Sequence, residues 1–85
     1  MTMITVKVLG SGCANCKRLE EITRKAIQNL AIEAEFIKVT DFQEIADHGI
    51  LSTPGLIVNG EVVSSGRIPS STEITTWIVR ALEEE

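Results

Sequence analysis

The chain is poor in cysteine, histidine, proline and basic residues, and each scarcity narrows what it can be. It has two cysteines in 85 residues, Cys13 and Cys16. A small secreted domain with little core is usually stapled by many disulfides. A lone, closely spaced pair points instead to a reducing compartment and to a catalytic or metal-binding role. The only histidine is His48, and two cysteines with one histidine do not complete the tetrahedron of a structural zinc site within one chain. Eight Lys and Arg face twelve Asp and Glu, for a net charge of −4, so a nucleic acid or an anionic membrane has no electrostatic support as a partner. No apolar run is long enough to span a bilayer, and no basic n-region opens the chain as in a signal peptide. The expected location is therefore cytoplasmic. With no low-complexity segment, repeat or linker, one domain over residues 1–85 with one small core is expected. The two prolines, Pro54 and Pro69, both fall at junctions.

What is present is organised around Gly10-Ser11-Gly12-Cys13-Ala14-Asn15-Cys16-Lys17. An apolar, β-branched run precedes this stretch and a long amphipathic segment follows it, so both thiols sit where a strand hands over to a helix. Gly10 and Gly12 allow the tight turn. The first turn of a helix has free N–H groups and a positive dipole end, and both favour a thiolate. Cys13, at or just before that turn, gains most. Cys16 lies one turn further in and three residues before Leu19, on the apolar stripe, close enough to form a disulfide with Cys13. The spacing separates an accessible thiol from a sheltered one.

Residues 3–9 read as a strand, with Ile4, Val6 and Val8 on one face and Thr5 and Lys7 on a less covered one. A helix from Cys16 to about Ala31 carries Leu19, Ile22, Ala26, Ile27 and Leu30 at helical spacing. Glu20 with Arg24 and Glu21 with Lys25 stand four apart in the favourable order. Residues 34–39 read as a second strand, parallel to the first. Asp41 and Glu44 fit a capping box for a short helix with Phe42, Ile45 and Ala46 as its apolar face, stopped at Gly49. After Thr53-Pro54, residues 55–58 and 61–65 form a hairpin around Asn59-Gly60. Ser70 and Glu73 box the last helix, whose core stripe is Ile74, Trp77, Ile78, Ala81 and Leu82. Glu83 to Glu85 oppose its dipole and should fray. The order β-α-β-α-β-β-α is that of an α/β domain with a central sheet and helices on both faces.

Three features in this order resemble the thioredoxin-like superfamily, and in particular its small glutaredoxin-sized redox-active disulfide proteins. They are Gly12-Cys13-Ala14-Asn15-Cys16 after the first strand, Thr53-Pro54 before the third, and the Asn59-Gly60 hairpin followed by Gly66 and a terminal helix. The resemblance implies a thioredoxin-like fold with a mixed four-stranded sheet. It implies that Cys13 is the attacking thiolate and Cys16 the resolving thiol. It implies a cis bond at Thr53-Pro54, with Thr53 offering backbone groups to an extended substrate, and Gly12, Ala14, Asn15, Pro54 and Gly66 beside it. A third strand parallel to the first would require residues 50–53 to run back toward the dithiol before that bond. The implied partners are a disulfide-containing protein or small molecule and a separate reductase. No cofactor is implied beyond the dithiol, and the chain is expected to act as a monomer.

The departures from the family pattern are specific. Gly12 replaces the tryptophan before the first cysteine of ordinary thioredoxins, and Ala14-Asn15 replaces the usual loop filling. Lys7 stands near the position of the buried acid that helps thioredoxins move a proton. It reads either as a lysine snorkelling from a half-covered face or as a charge favouring a thiolate. There is no tyrosine, and Gly66-Arg67-Ile68 replaces the acidic pair with which glutaredoxins bind glutathione. The competing class is a soft-metal module holding Cu(I) or Zn on the same pair. Copper-carrying domains, however, have a methionine where this chain has Ser11 and run βαββαβ. His48 and Trp77 read as helix-end and core residues.

Overall fold

The computed structural model describes residues 4–10, 12–50 and 52–83. The expectations that touched Met3, Ser11, Leu51, Glu84 and Glu85 fall outside the described residues. The elements run β1 (Ile4–Leu9), α1 (Ala14–Leu30), β2 (Ala34–Val39), α2 (Phe42–Asp47), β3 (Gly55–Val58), β4 (Glu61–Ser65) and α3 (Ser71–Glu83). Their order is the one expected. The first helix starts two residues before Cys16, because Cys13 itself is the N-cap, in an extended conformation with φ −67° and ψ 165°.

The four strands form a mixed sheet in the order β2-β1-β3-β4. β1 and β2 are parallel, from Ile4 opposite Ala34 to Leu9 opposite Val39. β3 is antiparallel to β1, with Gly55 opposite Leu9 and Val58 opposite Val6. The requirement for a parallel third strand is therefore removed. α2 has six residues and is about 9 Å long. It does not carry the chain back along a strand of about 20 Å. The chain stays at the end where β1 finishes and enters β3 from there. The hairpin turns at Asn59 and Gly60, both at positive φ (50° and 84°), the backbone of a two-residue primed turn. A register shift between Leu56 and Ile57 places Ser64 opposite Leu56 and Val62 opposite Ile57, so Val63 is the extra residue of a bulge.

The strand faces divide the core. Ile4, Val6, Val8, Leu56 and Val58 pack with Leu19 and Ala26 of α1 and with Ile74, Ile78 and Ala81 of α3. Leu9, Val39 and Ile57 pack with Ile45 of α2 and with Ile50 on the opposite face. Thr23, absent from the expected stripe, is fully buried, and its hydroxyl donates to the Leu19 carbonyl at 2.7 Å. Of the face expected on α2 only Ile45 is buried, while Phe42 is 73% exposed and Ala46 is exposed. A helix of one and a half turns reaches the sheet with one side chain.

Candidate active site

The site is built at the end of the sheet where β1 stops and β3 starts. Cys13 is exposed and Cys16 is buried. The two form a disulfide, with their Cα atoms 5.0 Å apart. The Cys13 sulfur does the work of an N-cap oxygen, accepting the Cys16 backbone N–H at 3.1 Å. This is the bond by which an N-cap side chain satisfies a free amide of the first turn. In the reduced protein the same amide and the dipole of the 17-residue helix α1 favour negative charge on Cys13 over Cys16.

Cys16 owes its seat to Gly10. A Cβ at Gly10 would overlap the Cys16 Sγ, lie 2.9 Å from its Cβ, and stand 4.0 Å from the Thr53 Cβ. The backbone at Gly10 is held by its N–H donating to the Val39 carbonyl at 2.9 Å. The missing side chain is thus where α1, β1 and the segment before β3 converge. The reading of Gly10 as a turn residue missed this. Gly12 is the residue that turns, at φ +89°.

The Thr53-Pro54 bond is cis. Thr53 is exposed and Pro54 buried. The Gly66 N–H donates to the Pro54 carbonyl at 3.0 Å, and a Cβ on Gly66 would stand 3.0 Å from the Ser52 Cβ. Ala14 and Asn15 occupy the first exposed turn of α1. The expected site residues Gly12, Cys13, Ala14, Asn15, Cys16, Thr53, Pro54 and Gly66 therefore gather at one end of the sheet. Lys7 does not join them. It is half-buried, opposite Ile37 and Ile57, on the α2 face, whereas Cys16 shares a small recess with Val8 on the other face. Its position matches the snorkelling reading. His48 ends α2 as its C-cap.

The loop after Gly66 is tied to α3. Arg67 donates both its Nη1 and Nη2 to the Glu73 carboxylate, at 3.2 and 2.8 Å. Glu73 Oε1 also accepts the Ser70 N–H at 3.1 Å, and Ser70 Oγ accepts the Glu73 N–H at 3.2 Å. The capping box is complete, and these bonds hold the Glu73 carboxyl down at about 2. The Arg67 partner was not legible in the spacing. Among the described residues a larger hollow of about 340 Å³ lies between the hairpin and α3, lined by Val62, Trp77 and Arg80. It is at the Asn59 end of the sheet, away from the sulfurs. Among the described residues no group of three or more His, Cys, Asp or Glu stands together as a metal site. The observed element order is not that of a copper carrier.

A Cys-x-x-Cys pair at a strand-to-helix junction and a cis-proline at the start of β3, on a mixed sheet flanked by helices, define a thiol-disulfide oxidoreductase. The chain belongs to the thioredoxin domain family, whose sequence profile matches residues 4–79. It is 42% identical over 72 residues to a thioredoxin of Methanothermobacter thermautotrophicus, covering 85% of this chain and 94% of that one. It is 38% identical over 81 residues to a thioredoxin of Methanocaldococcus jannaschii, covering 95% and 93%. The fold is also that of the oxidised thioredoxin from Plasmodium falciparum, with a TM-score of 0.64 at 19% identity over 91% of this chain and 79% of that one. A solved malarial protein gives a TM-score of 0.72 at 16% identity over 95% and 99%. No helix among the described residues is long and apolar enough to cross a membrane.

Proposed function

We propose that Cys13 is the attacking thiolate and Cys16 the resolving thiol of a dithiol reductase acting on disulfide-bonded proteins and small disulfides. The observation that carries the assignment is the asymmetry of the pair. Cys13 is exposed and its sulfur receives the Cys16 amide, while Cys16 is 5% exposed. The Cys13 thiolate forms a bond to one substrate sulfur, the substrate S–S bond breaks, and the departing thiolate takes a proton. Cys16 then loses its proton and attacks the Cys13 sulfur. The mixed disulfide breaks, the second substrate thiol leaves, and the Cys13–Cys16 disulfide remains. Two electrons pass from the dithiol to the substrate, and a separate reductase restores them. The dithiol itself is the only redox group required, and no metal is assigned to it.

Exposed Thr53 beside the sulfurs is suited to pair its backbone with an extended substrate segment. Gly12, Ala14, Asn15, Pro54 and Gly66 flank that segment. Residues 1–85 act as one domain and as a monomer. A reducing, cytoplasmic location agrees with a chain whose only cysteines are this pair.

Trapping tests the assignment. Cys16→Ser should accumulate a mixed disulfide through Cys13 with disulfide substrates, and Cys13→Ser should be inert. Absence of an adduct in Cys16→Ser would overturn the assignment of Cys13 as the attacking thiolate. Ultraviolet thiolate titration of the reduced protein should place Cys13 below the free-thiol value of about 8.5.

A further inference from the structure

A local charge pattern beside the dithiol runs against the charge of the whole protein. α1 has no acid in its first turn, where an acid would favour the helix dipole. It carries Lys17 at the end of that turn instead, followed by Arg18. Lys17 lines the recess beside Cys16 together with Gly12, Glu20 and Lys38. Among the described residues, Glu20 is the only carboxylate lining this recess between α1 and β2. It is already engaged twice, with Lys38 Nζ at 3.3 Å and Arg24 Nε at 3.4 Å. Arg24 is further stacked over Phe36, 4.2 Å from the ring centroid. Lys17 makes no ion pair among the described residues and is exposed. Three cations thus face one carboxylate on this flank. Asp41 is the N-cap of α2 and Glu44 lies in its first turn, and α2 packs through Ile45 on the opposite face. The Asp41 carboxylate is bonded to the Glu44 amide.

Resting on the dithiol reading above, we infer that the α1–β2 flank selects substrates whose disulfide is bordered by carboxylates. The net charge of −4 weakly repels an acidic protein at long range. Lys17 and Lys38 make one orientation attractive, the one that brings the partner's acidic border over the flank and its disulfide onto Cys13. A cation placed against the helix dipole costs stability. Among the described residues no ion pair at Lys17 offsets that cost, and binding of a partner does.

The test uses two cyclic disulfide peptides that differ only in having Asp or Lys on both sides of the cystine. The rate of each with the reduced protein is divided by its rate with dithiothreitol, an uncharged dithiol, which removes the intrinsic reactivity of the peptide. The expected preference for the Asp peptide is about tenfold at low salt. It should collapse near 1 M salt, where the Debye length is about 3 Å. In Lys17→Glu the preference should vanish or invert, a change of sign that a merely structural lysine would not produce. Equal rates for the two peptides at low salt, or an unchanged preference in Lys17→Glu, would overturn the inference. Neutral bis(2-hydroxyethyl) disulfide separates the two levels. If it is reduced while the peptides show no preference, the charge assignment alone fails; if it is not reduced, the dithiol reading beneath it fails as well.

Discussion

At the scale of single residues, the difference between the two sulfurs is made by what is absent at Gly10. Burial of Cys16 needs no special feature of Cys16 itself. It needs a residue without a side chain just past the strand, where the chain turns toward the helix. Gly10→Ala places a Cβ on the Cys16 Sγ and 2.9 Å from its Cβ, at a strand end fixed by the bond to Val39. Overpacking of this kind costs about 1–3 kcal/mol, and the helix start can yield more easily than the strand. The expected outcome is a lower melting temperature together with a longer-lived mixed disulfide, as Cys16 is pushed off its line to Cys13. Acid-quenched gels of the reaction with a protein disulfide would show it. In a Cys16→Ala background the Sγ overlap is gone, so the stability cost of Gly10→Ala should fall, though the close Cβ keeps it above zero. A double-mutant cycle measures the difference, and strict additivity would mean that the two sites do not meet.

At the scale of elements, the capping boxes of α2 and α3 are legible, because capping chemistry is local, whereas the start of α1, capped by a cysteine, is not. Ser70 and Glu73 formed the reciprocal box that their spacing predicted. Asp41 accepts the Glu44 amide, but the return bond from Glu44 is not found among the described residues. The i,i+4 pair Glu20–Arg24 is formed. Glu21–Lys25, equally spaced, is not an ion pair among the described residues, because nothing on that exposed face fixes its rotamers. What spacing could not supply was the third partner: Lys38 for Glu20, from a neighbouring strand, and Arg67 for Glu73, from the preceding loop. The second of these has a pH signature. The Glu73 carboxyl is lowered from 4.5 to about 2, chiefly by the Arg67 hydrogen bonds and then by the Ser70 amide. A carboxyl whose folded value is depressed contributes stability above its unfolded value and loses it as pH falls toward the folded one. The contribution of Glu73 should therefore be complete above about 4.5 and fade as the pH drops toward about 2. Glu73→Gln should melt lower than the parent at neutral pH, and the gap should narrow through that window. A constant gap from neutral pH down to about 2 would show that the depression is absent.

At the scale of the whole molecule, element order and the position of the dithiol could be read from the sequence, but the direction of β3 could not be read from strand pattern alone. The register decides it: Gly55 stands opposite Leu9, so β3 begins where β1 ends and runs back, with a brief, six-residue α2 before it. The same brevity predicts an uneven stability. One face of the sheet is covered by α1 and α3, which together bury Leu19, Thr23, Ala26, Ile74, Ile78 and Ala81. The other is covered by α2 with Ile45 alone, and burying one isoleucine is worth about 1.5–3 kcal/mol. A helix of this length has no stability of its own. α2 should therefore open without the rest of the molecule, at a free energy well below the roughly 5–15 kcal/mol of a whole domain. The Ile45 amide, bonded to the Asp41 carbonyl at 3.0 Å, should exchange with solvent at least about 100-fold faster than the amides of Thr23 and Ala26 in α1. Ile45→Ala should speed that exchange further while lowering the melting temperature less than Ile78→Ala, which opens a cavity in the larger core at a cost of about 2–5 kcal/mol. Exchange of Ile45 at the rate of the α1 amides would instead mean that the two faces unfold as one unit.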